Sequence, residues 1–110
     1  MANEVQEISV ARKFSKFPAG RFLKDGPFSG EAFRDNFLVP ALKAGKKVRI
    51  DLDGTAGFGS SFLEEAFGGL VRAGWRPAEI LERLELRSSD SSVIDEIQHY
   101  INDAGAANGM

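Results

Sequence analysis

The residues best suited to chemistry lie together in residues 51–65, where a predicted strand ends and a predicted helix begins. Three glycines in this run precede the adjacent hydroxyls of Ser60 and Ser61. A helix N-terminus carries unpaired N–H groups and the positive end of the helix dipole, so the junction predicts a site for an anion or a phosphorylated serine. The candidate residues for binding a partner or an anion are Asp51, Asp53, Gly54, Gly57, Phe58, Gly59, Ser60, Ser61 and Glu64.

Ser60 and Ser61 are the candidate phosphoacceptors, and they differ in how well helix capping explains them. Ser61 and Glu64 have the spacing of a capping box, in which each side chain satisfies a backbone donor at the helix start. Capping and modification therefore remain equal explanations for Ser61. Ser60 is not needed for that box, so it is the first candidate for an exposed hydroxyl that can be modified.

Asp51 and Asp53 are two residues apart, so on a strand they would share a face at its C-terminal end, where α/β sheets usually bind ligands. Two carboxylates alone are a weak signal for a cation, and a solvated strand end is the more common outcome. The glycine spacing fits neither a P-loop nor a dinucleotide-binding fingerprint. The sequence therefore predicts no metal site and no cofactor.

Catalysis has little support in the sequence. His99 is the sole histidine, there is no cysteine, and no Gly-x-Ser-x-Gly elbow presents a nucleophile. A serine hydrolase would need His99 to meet Ser60 in the fold, together with a carboxylate such as that of Asp51. We therefore expect a protein that is not an enzyme.

Length and composition indicate one small domain. The chain has 110 residues, 43% of them hydrophobic, and a formal net charge of −2. Charges of both signs are spread along it and no segment is long and apolar enough to span a bilayer, so we expect neither nucleic acid nor a membrane as a partner. The lack of cysteine fits a cytoplasmic protein. We expect a single domain over residues 7–104, with flexible termini at residues 1–6 and 105–110.

The periodicity of apolar residues indicates which elements position the candidate site. Alternation with period two predicts strands over residues 7–14, 21–23, 48–53 and 83–87, the first two forming a hairpin. Spacings of three and four predict helices over residues 30–43, 61–74 and 78–82, and a last helix from a cap at Ser91 or Ser92 to residue 104. Ser29 should cap the first helix, and Pro40 should kink it or end it early. The expected fold is α/β, a small mixed sheet of about four strands packed with three to four helices in the order β-β-α-β-α-β-α.

The candidate site resembles that of STAS domains, the family named for sulfate transporters and anti-sigma-factor antagonists. In that family an Asp-Ser-Ser/Thr-Gly motif with a regulatory serine or threonine opens the helix after such a strand. Here residues 48–53 match the strand, Phe58 matches the apolar residue of the loop, and Ser60-Ser61 match the hydroxyl pair. Gly59 stands at the position of the motif's aspartate, and Phe62 at that of its glycine.

Over residues 8–104 the chain resembles still more closely a STAS-like family of bacterial proteins of unknown function. The matching positions are Gly20-Arg21, Asp25-Gly26, Ser29-Gly30-Glu31, Phe33-Arg34, Asp51-Leu52-Asp53-Gly54, Ser60-Ser61-Phe62-Leu63 and Glu65-Ala66-Phe67-Gly68. The resemblance implies a STAS-like fold. It also implies a histidine-kinase-like ATPase or a switch kinase as the partner, with Ser60 as the first phosphoacceptor and Ser61 as the second.

The first functional hypothesis is a regulatory protein-binding module, resembling anti-sigma factor antagonists, that docks a kinase-like partner through residues 57–65 and is switched by serine phosphorylation. The alternative is a small-ligand or nucleotide-binding sensor domain without catalysis, with its ligand at the Ser60 helix start. An enzyme and a structural subunit of a larger assembly remain as weaker hypotheses. The sequence leaves the partner's identity, the pathway and the oligomeric state open.

Overall fold

Three short parallel strands form the sheet of this protein, whose computed structural model describes residues 4–109. Strand β1 is Val5–Ser9, β2 is Lys47–Asp51 and β3 is Leu84–Arg87. They lie in the order β1-β2-β3, so β2 is central. In the register, Ile8 lies beside Ile50, and Ile50 beside Leu86.

The buried side chains of the strands lie on one face of the sheet, where the helices cover them. Ile8, Val48 and Ile50 are almost completely buried. The opposite face is polar, and Arg49 pairs there with Glu7 on one side (Nη1–Oε1 3.1 Å) and Glu85 on the other (Nε–Oε2 2.7 Å). Parallel sheets are usually covered on both faces, and here cross-strand ion pairs occupy the open one.

Four helices complete the fold of residues 4–109. Helix α1 covers residues 30–43 as three consecutive segments, Gly30–Phe33, a π-helical Arg34–Leu38, and Val39–Lys43. Helix α2 covers residues 60–72 in the same way, as Ser60–Leu63, a π-helical Glu64–Gly68, and Gly69–Arg72. Helix α3 is Pro77–Arg83 and helix α4 is Ser91–Ala107. Within the described residues, no helix combines the length and the apolar composition needed to cross a bilayer.

The start of α1 confirms the predicted cap, and its middle shows how the helix accommodates a proline. The hydroxyl oxygen of buried Ser29 accepts a hydrogen bond from the Ala32 N–H at 3.2 Å. Pro40 does not end the helix. It lies in the segment Val39–Lys43, which stays helical, and the Ala44 N–H donates to the Pro40 carbonyl. The π-helical segment lies just before Pro40, which has no N–H to donate.

The predicted hairpin at residues 7–23 is wrong. Strand β1 stops at Ser9, and Val10–Phe14 form a π-helical turn that the Ser15 N–H closes on the Val10 carbonyl at 2.8 Å. The predicted second strand is instead a 3₁₀ turn, Leu23–Asp25. Within the described residues the sheet therefore has three parallel strands, whereas a mixed sheet of about four was expected, and the element order is β-α-β-α-α-β-α.

Both ends of the ordered fold extend further than the sequence predicted. Strand β1 begins at Val5, before the predicted boundary at residue 7. Helix α4 continues through Ala107, so residues 105–107 are helical and not part of a flexible terminus. Gly105 is buried against α3, where an added Cβ would lie 2.5 Å from Cγ of Pro77. Residues 1–3 and residue 110, which belong to the predicted flexible ends, lie outside the described residues.

A cluster of phenylalanine rings joins the first half of the chain to helix α2. Phe33 and Phe62 are buried, and their ring centroids lie 6.1 Å apart. The ring of Phe14 contacts Phe33 at 5.2 Å and Phe37 at 5.5 Å. Aromatic rings bury large areas and favour such edge-on and tilted contacts. The cluster fixes helix α2, and with it the helix start that carries the candidate site.

Candidate functional site

Helix α2 begins at the serine pair without using either serine as its cap. Gly59 occupies the N-cap position in an extended conformation, and no side chain makes a capping hydrogen bond there. Ser60 and Ser61 are therefore the first two residues of the helix, and both are exposed. Phe62 and Leu63 follow at once and are buried, so they hold this helix end against the core. The first N–H groups of the helix have no partner within it.

The predicted capping box of Ser61 and Glu64 does not form. The Glu64 carboxylate instead accepts hydrogen bonds from Arg21 at 2.5 Å and from Arg72 at 2.7 and 3.0 Å. A guanidinium offers the carboxylate a full opposite charge together with its N–H donors, which a backbone N–H does not. The Ser61 hydroxyl is consequently left on the surface beside that of Ser60.

Glu64 belongs to a wider arginine–glutamate cluster, which we define as Arg21, Arg34, Glu64, Glu65 and Arg72. Buried Glu65 pairs with Arg34 at 2.5 Å and with Arg72 at 3.2 Å. Hydrogen bonds from Arg72, and then from Arg21, hold the pKa of Glu64 below its usual range, against the effect of burial. The cluster ties α1, α2 and the loop before α1 together beside the serine pair.

Two adjacent glycines in the middle of α2 make room for the arginine–glutamate cluster. A Cβ added to Gly68 would lie 2.5 Å from Oε2 of Glu64, and one added to Gly69 would overlap Nη1 of Arg34. Glycine inside a helix is unfavourable without such a reason. This glycine pair is the one sequence signal that could have indicated the cluster, which was not among the predicted site residues.

Tyr100, on helix α4, is a further neighbour of Ser60 and is bound to Glu96; neither was among the predicted site residues. The Tyr100 hydroxyl donates a hydrogen bond to Oε2 of Glu96 at 2.6 Å. This bond, aided by burial, raises the pKa of Tyr100, while a hydrogen bond from the Ser60 side chain acts in the opposite direction. The four-residue spacing of Glu96 and Tyr100 is the signal that could have found this pair.

Asp51 and Asp53 do not share a strand face, because β2 ends at Asp51 and the chain turns there. Oδ1 of Asp51 accepts the Asp53 N–H at 3.0 Å. Oδ1 of Asp53 accepts the backbone N–H and the hydroxyl of Ser89, at 2.8 and 3.0 Å, and these bonds hold the pKa of Asp53 below its usual range. Asp53 thus fastens the glycine-rich loop to the start of α4, while Asp51 lines a different groove, on the polar face of the sheet.

A groove of about 450 Å³ lies between the glycine-rich loop and the start of α4. We call it the acidic groove, because the carboxylates of Asp53, Asp90 and Glu96 line it. Its other lining residues include Gly54, Thr55, Gly57, Phe58, Ser89 and Ser92. Neither serine lines this groove, but Glu96 at its edge accepts the hydrogen bond of Tyr100, which also interacts with Ser60.

The structure thus divides the nine candidate residues among four places. The acidic groove takes Asp53, Gly54, Gly57 and Phe58, and the helix start takes Gly59, Ser60 and Ser61. Glu64 belongs to the arginine–glutamate cluster, and Asp51 to the polar sheet face.

The residues considered for catalysis or metal binding are not brought together. Nε2 of His99 lies 2.9 Å from Oδ2 of Asp103 on the exposed side of α4, whereas Ser60 contacts Tyr100. Over residues 4–109, no group of three or more His, Asp or Glu side chains is placed to hold a metal ion.

A family description matches most of the chain that carries these features. The family is described as "STAS-like domain of unknown function (DUF4325)", and its model matches residues 29–93. The matched segment begins at the N-cap of α1, contains β2, α2, α3 and β3, and ends in the first turn of α4. It includes the serine pair and most of the acidic groove. No curated protein and no solved structure matches the chain.

Proposed function

The chain belongs to this family of STAS-like domains, and from that membership we propose that it is a regulatory protein-binding module similar to anti-sigma factor antagonists. In this proposal it docks a histidine-kinase-like ATPase or a switch kinase in the cytoplasm. Phosphorylation of Ser60, or secondarily of Ser61, switches the complex. The module itself is not an enzyme and needs no cofactor.

The observation that carries the proposal is the exposure of both serine hydroxyls at the first two positions of α2. Neither caps the helix, because Gly59 holds that position and Glu64 is bound by arginines. A kinase must reach an acceptor hydroxyl from solvent, and a partner must cover it for modification to affect binding. Ser60 and Ser61 meet the first requirement without any change of fold.

A phosphate at this position would change the surface more than the stability of the domain. It adds about −1.5 to −2 charges at neutral pH. The start of a long helix tolerates a negative charge, with a gain of about 0.3–1 kcal/mol. Glu64 and Glu96 lie nearby, so the added charge would make this surface strongly anionic. A partner that fits the unmodified serine would then be repelled.

The test is calorimetric binding to a purified histidine-kinase-like ATPase from the same organism, with and without ATP. We expect Ser60→Asp to weaken binding by about 10-fold or more, equivalent to about 1.4 kcal/mol. The matched control is Ser91→Asp, which places the same charge on an exposed serine at the first position of α4 and should leave binding unchanged. The proposal fails if the wild-type chain forms no complex, or if both variants behave alike.

The acidic groove supports a second candidate function, a small-ligand sensor without catalysis. Its three carboxylates repel a nucleotide or a free phosphate and attract a cationic ligand. Its hydroxyl groups can form hydrogen bonds with a polyhydroxylated ligand. A thermal-shift screen of polyamines and sugars tests this, because a ligand at 100 times its dissociation constant adds about 2.7 kcal/mol of stability. Asp90→Asn should abolish any shift that arises in the groove. A screen without shifts would remove this candidate.

A further inference from the structure

Exposed apolar side chains are concentrated in one loop. Among the described residues five large apolar side chains are exposed, and four of them lie in residues 15–28, which we call the aromatic loop. They are Phe17 (72% exposed), Phe22 (40%), Leu23 (57%) and Phe28 (43%). Single exposed apolar residues are ordinary, but a cluster of them marks an interaction surface. The loop immediately precedes the segment that the family model matches, residues 29–93.

Hydrogen bonds hold the aromatic loop in one conformation. The Ala19 N–H donates to the Phe28 carbonyl at 3.0 Å, which closes the base of the loop. At its tip, the Phe22 N–H donates to the Asp25 carboxylate at 2.9 Å, and the Leu23 N–H to the Glu31 carboxylate at 3.0 Å. A loop ordered in advance loses little entropy on binding. It presents its apolar side chains as a fixed shape.

The aromatic loop is basic, although the chain as a whole is acidic. Residues 15–28 contain three basic residues and one acidic residue, while the chain carries a formal net charge of −2. Among the described residues, Lys16 and Lys24 form no ion pair, and Nζ of Lys24 lies 5.8 Å from the centroid of the Phe22 ring. Apolar anchors beside unpaired cations fit an apolar pocket with carboxylates at its rim.

The aromatic loop adjoins the surface proposed for partner docking. The Ala56 N–H donates to the Lys16 carbonyl at 2.8 Å, which joins the aromatic loop to the glycine-rich loop before Ser60. The Arg21 guanidinium lies 2.5 Å from the Glu64 carboxylate, one helical turn after the serine pair. A protein seated on the serine pair would therefore reach the aromatic loop as well.

We propose that the aromatic loop anchors the partner protein by inserting Phe17 and Leu23 into an apolar pocket that carboxylates surround. This rests on the proposed function. A fixed loop shape favours a protein pocket over a fluid surface, and the neighbouring Glu64, Glu96 and acidic groove would face an anionic membrane unfavourably. If a second copy of this chain bound here through the same loop, the unpaired lysines of the two loops would face and repel each other. The charges therefore favour a different protein, one whose apolar pocket has carboxylates at its rim.

The experiment measures affinity for the same purified ATPase by calorimetry. Phe17→Ala and Leu23→Ala should each weaken binding by about 10-fold or more, as expected for a central apolar anchor. Lys24→Glu should also weaken binding, and this loss should grow as the salt concentration is lowered, because the introduced carboxylate would then meet carboxylates of like charge at the rim of the pocket. The matched control Val5→Ala removes the exposed large apolar side chain that lies outside the loop in residues 4–109, and it should bind as wild type does. All four positions are exposed, and unchanged melting temperatures would show that the variants fold.

The outcomes separate the two proposals. If loop variants bind as tightly as wild type while Ser60→Asp weakens binding, the anchor is overturned and the proposed function stands. If the wild-type chain forms no complex with the ATPase, both are overturned. The anchor is also overturned if the chain sediments with phosphatidylglycerol vesicles and Phe17→Ala abolishes sedimentation without affecting the ATPase, or if Phe17→Ala dissolves a dimer of this chain in analytical ultracentrifugation.

Discussion

Glu64 is bound by two guanidinium groups, one from the aromatic loop and one from its own helix. These hydrogen bonds lower its pKa from a usual value of 4.5. A carboxylate whose pKa is lower in the folded state contributes stability above its unfolded pKa, and that contribution is lost as the pH falls through the folded pKa. The arginine–glutamate cluster should therefore make the domain less stable in mild acid.

Urea denaturation at about pH 7 and about pH 4 tests this. The free energy of unfolding of the wild-type chain should fall between the two conditions, and Glu64→Gln should reduce that fall by up to about 1 kcal/mol, since partly exposed ion pairs contribute little more. Glu82→Gln is the matched control, because Glu82 is exposed and forms no ion pair among the described residues. If the free energy of unfolding fell equally in Glu64→Gln and Glu82→Gln, the pH dependence could not be assigned to Glu64.

At the residue scale, the sequence predicted where the serines lie but not what surrounds them. Ser60 was selected because a capping box beginning at Ser61 left it unused, and its exposure agrees with that choice. The box itself was wrong, because the partners of Glu64 include Arg21, which is 43 residues away in sequence. A local spacing rule cannot take account of a competitor that only the fold brings near.

Close packing of helix α1 on helix α2 depends on Gly30. A Cβ at this position would overlap the carbonyl oxygen of Phe62 and lie 3.1 Å from the Ala66 nitrogen. Gly30→Ala should therefore destabilise the domain by about 1–3 kcal/mol in thermal or urea denaturation, despite the better helix propensity of alanine. Ser91→Ala is the control, because Ser91 is exposed at the first position of helix α4 and the change adds no atoms. Equal stabilities would show that the helices can move apart.

At the element scale, the helices were the most predictable part of the fold. Apolar spacings of three and four located α1, α2 and α4, because each helix buries one stripe against the same core. The alternation before Phe14 was misleading, since it also fits a strand followed by a π-helical turn. The loop that replaced the predicted second strand is held by carboxylates of Asp25 and Glu31 on backbone N–H groups, and hydropathy does not report such bonds.

At the scale of the whole molecule, the sequence indicated an α/β class but not that the sheet is parallel. A short hairpin would have made the first strand pair antiparallel, whereas its replacement by a loop leaves each strand connected to the next through helices. The helices then cover one face, and the polar face retains ion pairs such as Arg49 with Glu85. Two parts of the surface differ in charge, since the aromatic loop carries unpaired cations and the acidic groove carries carboxylates.

The contact between Arg21 and Glu64 gives this separation a thermodynamic consequence. Arg21 has a single guanidinium, and it joins the aromatic loop to the helix that begins with the serine pair. A dianion on Ser60 would stand one helical turn before Glu64 and would compete with it for that cation. Linkage requires reciprocity: by whatever factor the phosphate alters a partner's affinity, the bound partner alters the equilibrium between modified and unmodified chain. Binding of the partner would thus itself shift the equilibrium between phosphorylated and unphosphorylated Ser60.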